Sequence, residues 1–150
     1  MTLREIRDYI YGAWVKREIA SFNARGGKVI MITGSYGKTT VKELAYDLLR
    51  QKFEVVKTSR NYNTVVGIAK TIKYEITDQT KLLILEVGAY KLGEITYFCK
   101  ILKPDVGVVT GIARQHLERF GSFENIIKAK TEIVRYLEIH DGKLIINGSD

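Results

Sequence analysis

Residues 32–40 read Ile32-Thr33-Gly34-Ser35-Tyr36-Gly37-Lys38-Thr39-Thr40, directly after the apolar run 29–32 and directly before a helical pattern over 41–49. A strand, a glycine turn and the start of a helix in this order aim backbone N–H groups at phosphate oxygens. In the Gly-Lys-Thr triplet, the lysine suits the outer phosphates of a nucleotide and the hydroxyl suits its magnesium ion. The stretch therefore predicts a phosphate-binding loop and favours ATP as the ligand.

The loop is a shortened form of the common phosphate-loop pattern. That pattern has a glycine five positions before Gly37, where this chain has Ile32, and Gly34 takes its place. The simpler alternative is a glycine turn with a solvated lysine. On the phosphate-loop interpretation the nucleotide-binding residues are Gly34, Ser35, Tyr36, Gly37, Lys38, Thr39 and Thr40.

Strands alternate with helices along the whole chain. The patterns predict helices over 3–22, 38–51, 66–74, 93–102 and 123–137, and strands over 28–33, 54–57, 82–87, 106–110 and 143–147. Three of these strands are apolar throughout, which is typical of a parallel sheet covered on both faces. We predict a three-layer α/β/α fold with a mostly parallel sheet, similar to P-loop NTPases. Because the sequence stops just after a strand, we expect an incomplete domain of a larger protein.

Composition narrows the range of functions. The 150 residues are 45% hydrophobic, carry a net charge of +7 and include one cysteine, Cys99, which a helical pattern predicts to be buried. The basic residues are dispersed and no nucleic-acid-binding motif is present, so polyanionic small molecules are favoured over nucleic acid. No apolar run is long enough to span a membrane, and the N-terminus does not resemble a signal peptide. We expect a cytoplasmic protein.

Ligands of a parallel sheet bind beyond the carboxyl ends of its strands, so the residues after each strand are the first candidates. Glu86 ends one apolar strand and could hold magnesium, or it could be a solvated carboxylate. His116 lies in a later loop, where a surface histidine is the simpler interpretation. Lys130 falls in a helical pattern that suggests a solvated face, and Asn61 and Asn63 could be turn residues.

Four separate segments contain these residues and together form a recognisable pattern along the chain. They are ITGSYGKTTVKE from Ile32, NYNTVVGI from Asn61, LEVGAYKLGEI from Leu85 and HLERFGSFENIIKAKTEI from His116. Over residues 28–147 the chain resembles the central ATP-binding domain of the Mur ligase family, and most closely the members that add D-alanyl-D-alanine to a UDP-N-acetylmuramoyl-peptide.

The resemblance implies site roles. Lys38 and the backbone of residues 34–39 would hold the β- and γ-phosphates of ATP. Thr39 and Glu86 would bind one Mg²⁺, and His116 would help bind a second. Lys130 matches a lysine that is carbamylated in several members, and a carbamate would support the second metal. Lys38, His116 and Lys130 would thus be the catalytic residues.

The resemblance also implies a reaction and partners. Asn61 and Asn63 match asparagines of the nucleotide and substrate cleft. The family transfers the γ-phosphoryl group of ATP to a carboxylate, and an amine then displaces phosphate to form an amide. Residues 1–27 would be a helix preceding the domain, residues 28–150 a truncated central domain, and the flanking domains for the UDP-sugar-peptide and for the amine would lie outside the chain.

Departures from the family pattern concern positions that face the substrate. Tyr90 replaces an asparagine, Arg114 replaces an acidic residue, and Thr64 and Val65 replace an amide and a carboxylate. These changes bear on the acceptor more than on the reaction type. The alternatives are a ligase related to folylpolyglutamate or cyanophycin synthetase, and a non-catalytic nucleotide-binding module.

Overall fold

The computed structural model describes residues 2–59 and 62–148. These residues form six helices and five strands. In chain order they are α1 (Leu3–Ala24), β1 (Lys28–Thr33), α2 (Lys38–Leu49), β2 (Val55–Lys57), α3 (Val65–Glu75), β3 (Leu82–Glu86), α4 (Glu94–Leu102), β4 (Val106–Val109), α5 (Leu117–Phe120), α6 (Phe123–Ile139) and β5 (Lys143–Ile146).

The five strands form one sheet in the order β2-β3-β1-β4-β5, and all four pairings are parallel. Strand β1 lies in the centre, where Ile32 pairs with Glu86 of β3 and with Val108 of β4. The three strand ends that carry the candidate residues are therefore neighbours. The predicted parallel sheet is confirmed.

The two faces of the sheet are covered unequally. Helices α1, α3, α4 and α6 pack on one face and contribute Ile19, Ile68, Ile95 and Ile133 to a common core. The opposite face is covered by α2 through a smaller cluster around Ile32. The three-layer α/β/α architecture is confirmed. At the edge of the sheet, all four residues of β5 are exposed.

Helix α1 is part of the main core. A capping box between Thr2 and Glu5 fixes its first turn, and Val15, Ile19 and Phe22 are buried with the core of the sheet. The close approach of α4 needs a glycine in α1, because a Cβ on Gly12 would lie 2.0 Å from the hydroxyl oxygen of Tyr97. The part of the chain that the structure describes contains no helix with the length and apolar character needed to cross a membrane.

The predicted elements are confirmed to within two residues at each end, with one omission. Residues 117–120 form the short helix α5 inside a segment predicted to be a loop. A four-residue helix is too short to produce a hydrophobic period, so the sequence carries no signal for it.

Candidate active site

The phosphate loop connects β1 to α2 through two glycines in conformations that other residues rarely adopt. Gly34 has φ +147° and Gly37, the N-cap of α2, has φ +78°. A Cβ on Gly34 would lie 2.2 Å from the hydroxyl oxygen of Thr110, so glycine is required there for space as well as for conformation.

The segment after β4 holds the phosphate loop in place. The backbone N–H of Ser35 donates to the carbonyl of Gly111 at 2.6 Å, and the Ser35 hydroxyl donates to the carbonyl of Ala113 at 3.3 Å. The Thr110 hydroxyl donates to the carbonyl of Tyr36. Thr110 is a supporting residue that the sequence interpretation did not identify, because a threonine at a strand end has many ordinary roles.

The N-terminus of helix α2 leaves backbone N–H groups available to bind an anion. Its N-cap, Gly37, provides no side-chain hydrogen bond to the first-turn N–H groups. The ammonium of Lys38 folds back over the loop and donates to the carbonyl of Gly34 at 3.0 Å. A cation and a helix N-terminus therefore face the same space, which favours a bound phosphate.

Glu86 lies beneath this loop in a buried polar cluster. Its side chain is 3% exposed, and its Oε2 accepts a hydrogen bond from the Thr39 hydroxyl at 3.0 Å. The same oxygen lies 3.2 Å from the ammonium of Lys42, a fully buried lysine that the sequence interpretation also missed. The alternative of a solvated strand-end carboxylate is therefore wrong. Lys42 could have been noticed, since it shares an otherwise apolar helical stripe with Tyr46 and Leu49.

A cleft opens at this end of the sheet. It is lined by Gly34, Ser35, Lys38, Asn63, Gly88, Ala89, Tyr90, Gln115, His116, Phe120, Ile126 and Lys130. The structure thus brings Lys38, Asn63, His116 and Lys130 together from four separate segments. Their convergence is the central observation about this site.

Five of the predicted residues that the structure describes do not line the cleft: Tyr36, Gly37, Thr39, Thr40 and Glu86. Tyr36 is exposed and packs its ring over Gly111, on the side of the loop toward β5. Thr40 is on an exposed part of α2. Asn61 lies outside the described residues.

His116 is held in an unusual backbone conformation. It is a non-glycine residue with φ +56°, at the N-terminus of α5. Its ring contacts that of Tyr90 edge-on, with 5.2 Å between the centroids, and the Arg119 guanidinium lies 4.8 Å from the Tyr90 ring centroid. Strained residues of this kind persist where the surroundings fix them, often at functional sites. The ring borders the cleft while its side chain is about half exposed.

Lys130 is buried in α6, so the prediction of a solvated helix face is wrong for this residue. Its side chain is 4% exposed and its ammonium donates to the carbonyl of Ala89 at 3.0 Å. Burial, reinforced by the positive charge of Lys38, lowers the pKa of Lys130 from 10.5 to about 8. Glu94 and Glu132 act on this pKa in the opposite direction but do not offset the burial. The buried charge therefore lowers the stability of the folded chain. A residue with a purely structural role would not be expected to have this effect.

We expect Lys130→Met to stabilise the chain near neutral pH in buffer freed of carbon dioxide, by about 1–3 kcal/mol. Below about pH 8 the buried amine is charged in the folded protein, so the full destabilisation by this charge is present. Between about 8 and 10.5 the unfolded chain binds a proton that the folded chain does not, so the wild-type protein gains stability with rising pH. The advantage of the variant should therefore shrink over that range in chemical denaturation experiments.

The exposed Lys128, on the same helix, provides the matched control, since Lys128→Met should change the free energy of unfolding by less than about 0.5 kcal/mol at any pH. A Lys130→Met protein that is less stable than wild type near neutral pH would contradict this account of Lys130.

The polar groups below the loop fit magnesium better than a metal held by protein alone. No group of three or more His, Cys, Asp or Glu side chains that could hold a metal occurs among residues 2–59 and 62–148. A hydroxyl and a carboxylate, those of Thr39 and Glu86, meet at 3.0 Å. Magnesium commonly uses one or two such oxygens together with substrate phosphates and water.

Comparison with known proteins gives a family for this site. A family model described as the Mur ligase middle domain matches residues 32–150. The UDP-N-acetylmuramoyl-tripeptide–D-alanyl-D-alanine ligase of Bacillus subtilis (strain 168) is 37% identical over 125 residues, which are 83% of this chain and 27% of that protein. The chain thus spans 27–29% of the length of the first three curated relatives it matches.

Solved structures agree with the sequence comparison. The MurF ligase from Thermotoga maritima, in complex with ADP, superposes with a TM-score of 0.82 at 33% identity over 95% of this chain and 32% of that chain. The FolC protein of E. coli, solved with DHPP and ADP, gives a TM-score of 0.57 at 18% identity over 93% of this chain and 46% of that chain. The second likeness shows a shared fold alone.

Proposed function

This chain belongs to the Mur ligase family, and from that premise we propose that it is the ATP-binding part of an ATP-dependent carboxylate–amine ligase in peptidoglycan precursor synthesis. The proposed reaction adds D-alanyl-D-alanine to a UDP-N-acetylmuramoyl-peptide, as the names of the relatives indicate for those proteins. A ligase that uses another peptide acceptor, including one related to folylpolyglutamate or cyanophycin synthetase, is the alternative within the same architecture.

The convergence of Lys38, Asn63, His116 and Lys130 on one cleft is the observation that carries this proposal. Lys38 at the start of α2 and the buried Lys130 of α6 place two positive charges on this cleft, and His116 at the start of α5 borders it. Such a site suits a polyphosphate whose negative charge grows and shifts during phosphoryl transfer. A non-catalytic nucleotide-binding module would not need the buried Lys130, whose charge opposes folding.

The chemistry follows from the poor reactivity of a carboxylate. An oxygen of the acceptor carboxylate attacks the γ-phosphorus of ATP, ADP leaves, and a mixed acyl phosphate results. The amine then attacks the acyl carbon, phosphate leaves with the electrons of the broken C–O bond, and the nitrogen loses a proton. Lys38 would stabilise the charge on the transferring phosphoryl group, and the cleft would exclude water from the acyl phosphate.

Magnesium would neutralise phosphate charge in this site. Thr39 and Glu86 are the residues that would hold one ion, because their oxygens already meet in the folded chain. His116 would orient a second ion near the acceptor, with Lys130 in support if its amine carries a carbamate. A buried amine with a lowered pKa favours that modification, since the neutral nitrogen attacks carbon dioxide and releases a proton.

The wider organisation is part of the proposal. Residues 28–150 would form the central ATP-binding domain, preceded by the helix of residues 1–27, while acceptor and amine would be held largely by other domains of the same protein. Because the reaction consumes ATP, we expect it to take place in the cytoplasm. We expect residues 1–150 alone to bind phosphates weakly and to form no amide.

The test uses the whole ligase that contains this chain. UDP-N-acetylmuramoyl-tripeptide, D-alanyl-D-alanine and ATP are supplied together, and phosphate release is measured beside the mass of the product. We expect phosphate release that depends on both the acceptor and the dipeptide. The product should be heavier than the acceptor by the mass of D-alanyl-D-alanine less one water.

Two outcomes would redirect the proposal. Phosphate release with a folate and glutamate, but not with the muramoyl peptide, would favour the alternative ligase. ATP binding without acceptor-dependent turnover, in a protein that is folded and carries all its domains, would favour the non-catalytic module.

A further inference from the structure

Lys42 is a fully buried lysine for which the proposed reaction has no stated use. It is 0% exposed and extends from α2 toward the end of β3. A buried ammonium is stable only when carboxylates or other acceptors compensate it. Its partners therefore determine what it does.

The first partner is the carboxylate proposed to bind magnesium. The Lys42 ammonium lies 3.2 Å from Oε2 of Glu86, and this same oxygen accepts the hydrogen bond from the Thr39 hydroxyl at 3.0 Å. The backbone N–H of Glu86 donates to the Thr58 hydroxyl at 3.1 Å, which fixes the strand end from the other side. The ammonium therefore occupies one of the few directions from which a cation can approach this oxygen.

A second carboxylate is available to Lys42 on the same helix. Oε1 of Glu43 lies 3.8 Å from the Lys42 ammonium. The other oxygen of Glu43 pairs closely with Lys57, whose ammonium also lies 4.2 Å from the ring centroid of Tyr46. Glu43 is thus anchored in place, and Lys42 can exchange one carboxylate for the other with a small movement.

We propose that Lys42 is a positioning residue that sets the magnesium affinity of the nucleotide site. It holds the buried Glu86 carboxylate in contact with the Thr39 hydroxyl, and it shares that carboxylate with the incoming ion while shifting toward Glu43. The two cations repel each other, so Lys42 keeps magnesium binding weaker than Glu86 and Thr39 would make it alone. This inference rests on the magnesium site of the proposed function.

The test measures magnesium binding by the chain at saturating ADP, for wild type, Lys42→Met and Lys42→Arg. Calorimetry gives the Mg²⁺ dissociation constant, and thermal unfolding with EDTA or with Mg²⁺ gives the stability. We expect Lys42→Met to have a lower unfolding midpoint in EDTA, a larger rise with Mg²⁺ than wild type, and a dissociation constant about tenfold tighter. Lys42→Arg should restore wild-type behaviour because it keeps the charge.

The matched control is the exposed lysine that follows α2, since Lys52→Met should change neither quantity. A lysine with a purely structural role would lower the midpoint of Lys42→Met equally with and without magnesium, and that result would overturn the inference. Failure of Lys42→Met to fold at every magnesium concentration would also overturn it, because magnesium should replace the missing charge. If the wild-type protein showed no magnesium binding and no change of its unfolding midpoint with Mg²⁺, the proposed magnesium site itself would be refuted.

A second variant tests the exchange between carboxylates without removing the buried lysine. Glu43→Gln takes away the alternative partner, so Lys42 should remain on Glu86 and weaken magnesium binding by about threefold. The Glu43 side chain is about half exposed, so the variant should fold. An unchanged dissociation constant would show that Lys42 does not move between the two carboxylates.

Discussion

Lys38→Met is expected to weaken ADP and ATP binding by about 10–100-fold, the effect of removing one charge-assisted contact to phosphate. In the whole ligase it should lower the rate of phosphoryl transfer further, on the order of 10²–10³-fold, because the lysine would meet more negative charge in the transition state. Calorimetric titration with nucleotide and a phosphate-release assay provide the two measurements. The fold should be retained, since the ammonium contacts the carbonyl of Gly34 at the cleft surface.

The control for this variant is Lys52→Met, which removes an exposed charge near the same helix and should leave binding unchanged. Equal losses in both variants would mean that general positive charge, and not Lys38 itself, attracts the nucleotide. Unchanged nucleotide affinity in Lys38→Met would mean that the phosphates bind elsewhere.

His116→Ala and Lys130→Ala are expected to lower amide formation by the whole ligase on the order of 10²-fold or more, while nucleotide affinity changes by less than about threefold. Both residues line the cleft, whereas Thr39 and Glu86 are outside its lining, so we expect the acceptor carboxylate to bind beside His116 and Lys130. Steady-state rates with saturating ATP, beside calorimetric nucleotide affinities, separate the two effects.

Each of these variants has a matched control variant of the same residue type elsewhere on the chain. His140→Ala removes the other histidine, which contacts the carbonyl of Tyr136 at the end of α6, and Lys128→Ala removes an exposed lysine of the same helix. Neither should alter ligation. If His116→Ala ligates at the wild-type rate, the assignment of a site around this histidine fails.

Much of the fold follows from local pattern in the sequence. The apolar runs that end in Ile32 and Glu86 predicted buried parallel strands, and the structure has them side by side at the centre of the sheet. The glycine turn predicted between β1 and α2 is present, and Gly34 and Gly37 both have positive φ there. These features depend on a few adjacent residues and a simple period, so the amino-acid sequence alone is enough to deduce them.

Burial of individual charges could not be deduced in the same way. Lys42 and Lys130 each lie on a helical face with apolar residues, but that pattern does not show which distant segments bury their ammonium groups. Their partners, Glu86 for Lys42 and the carbonyl of Ala89 for Lys130, are about 40 residues away along the chain. The exposure of β5 likewise depends on which helices pack over each face of the sheet, which the strand's own sequence does not specify.

The most direct measurement is a crystal structure of the chain with a non-hydrolysable ATP analogue and Mn²⁺, whose anomalous scattering marks the metal. We predict that the β- and γ-phosphates contact Lys38 and the N–H groups at the start of α2, and that manganese binds the oxygens of Thr39 and Glu86. Phosphates bound in another pocket, or an ion with no contact to Thr39 or Glu86, would contradict the account.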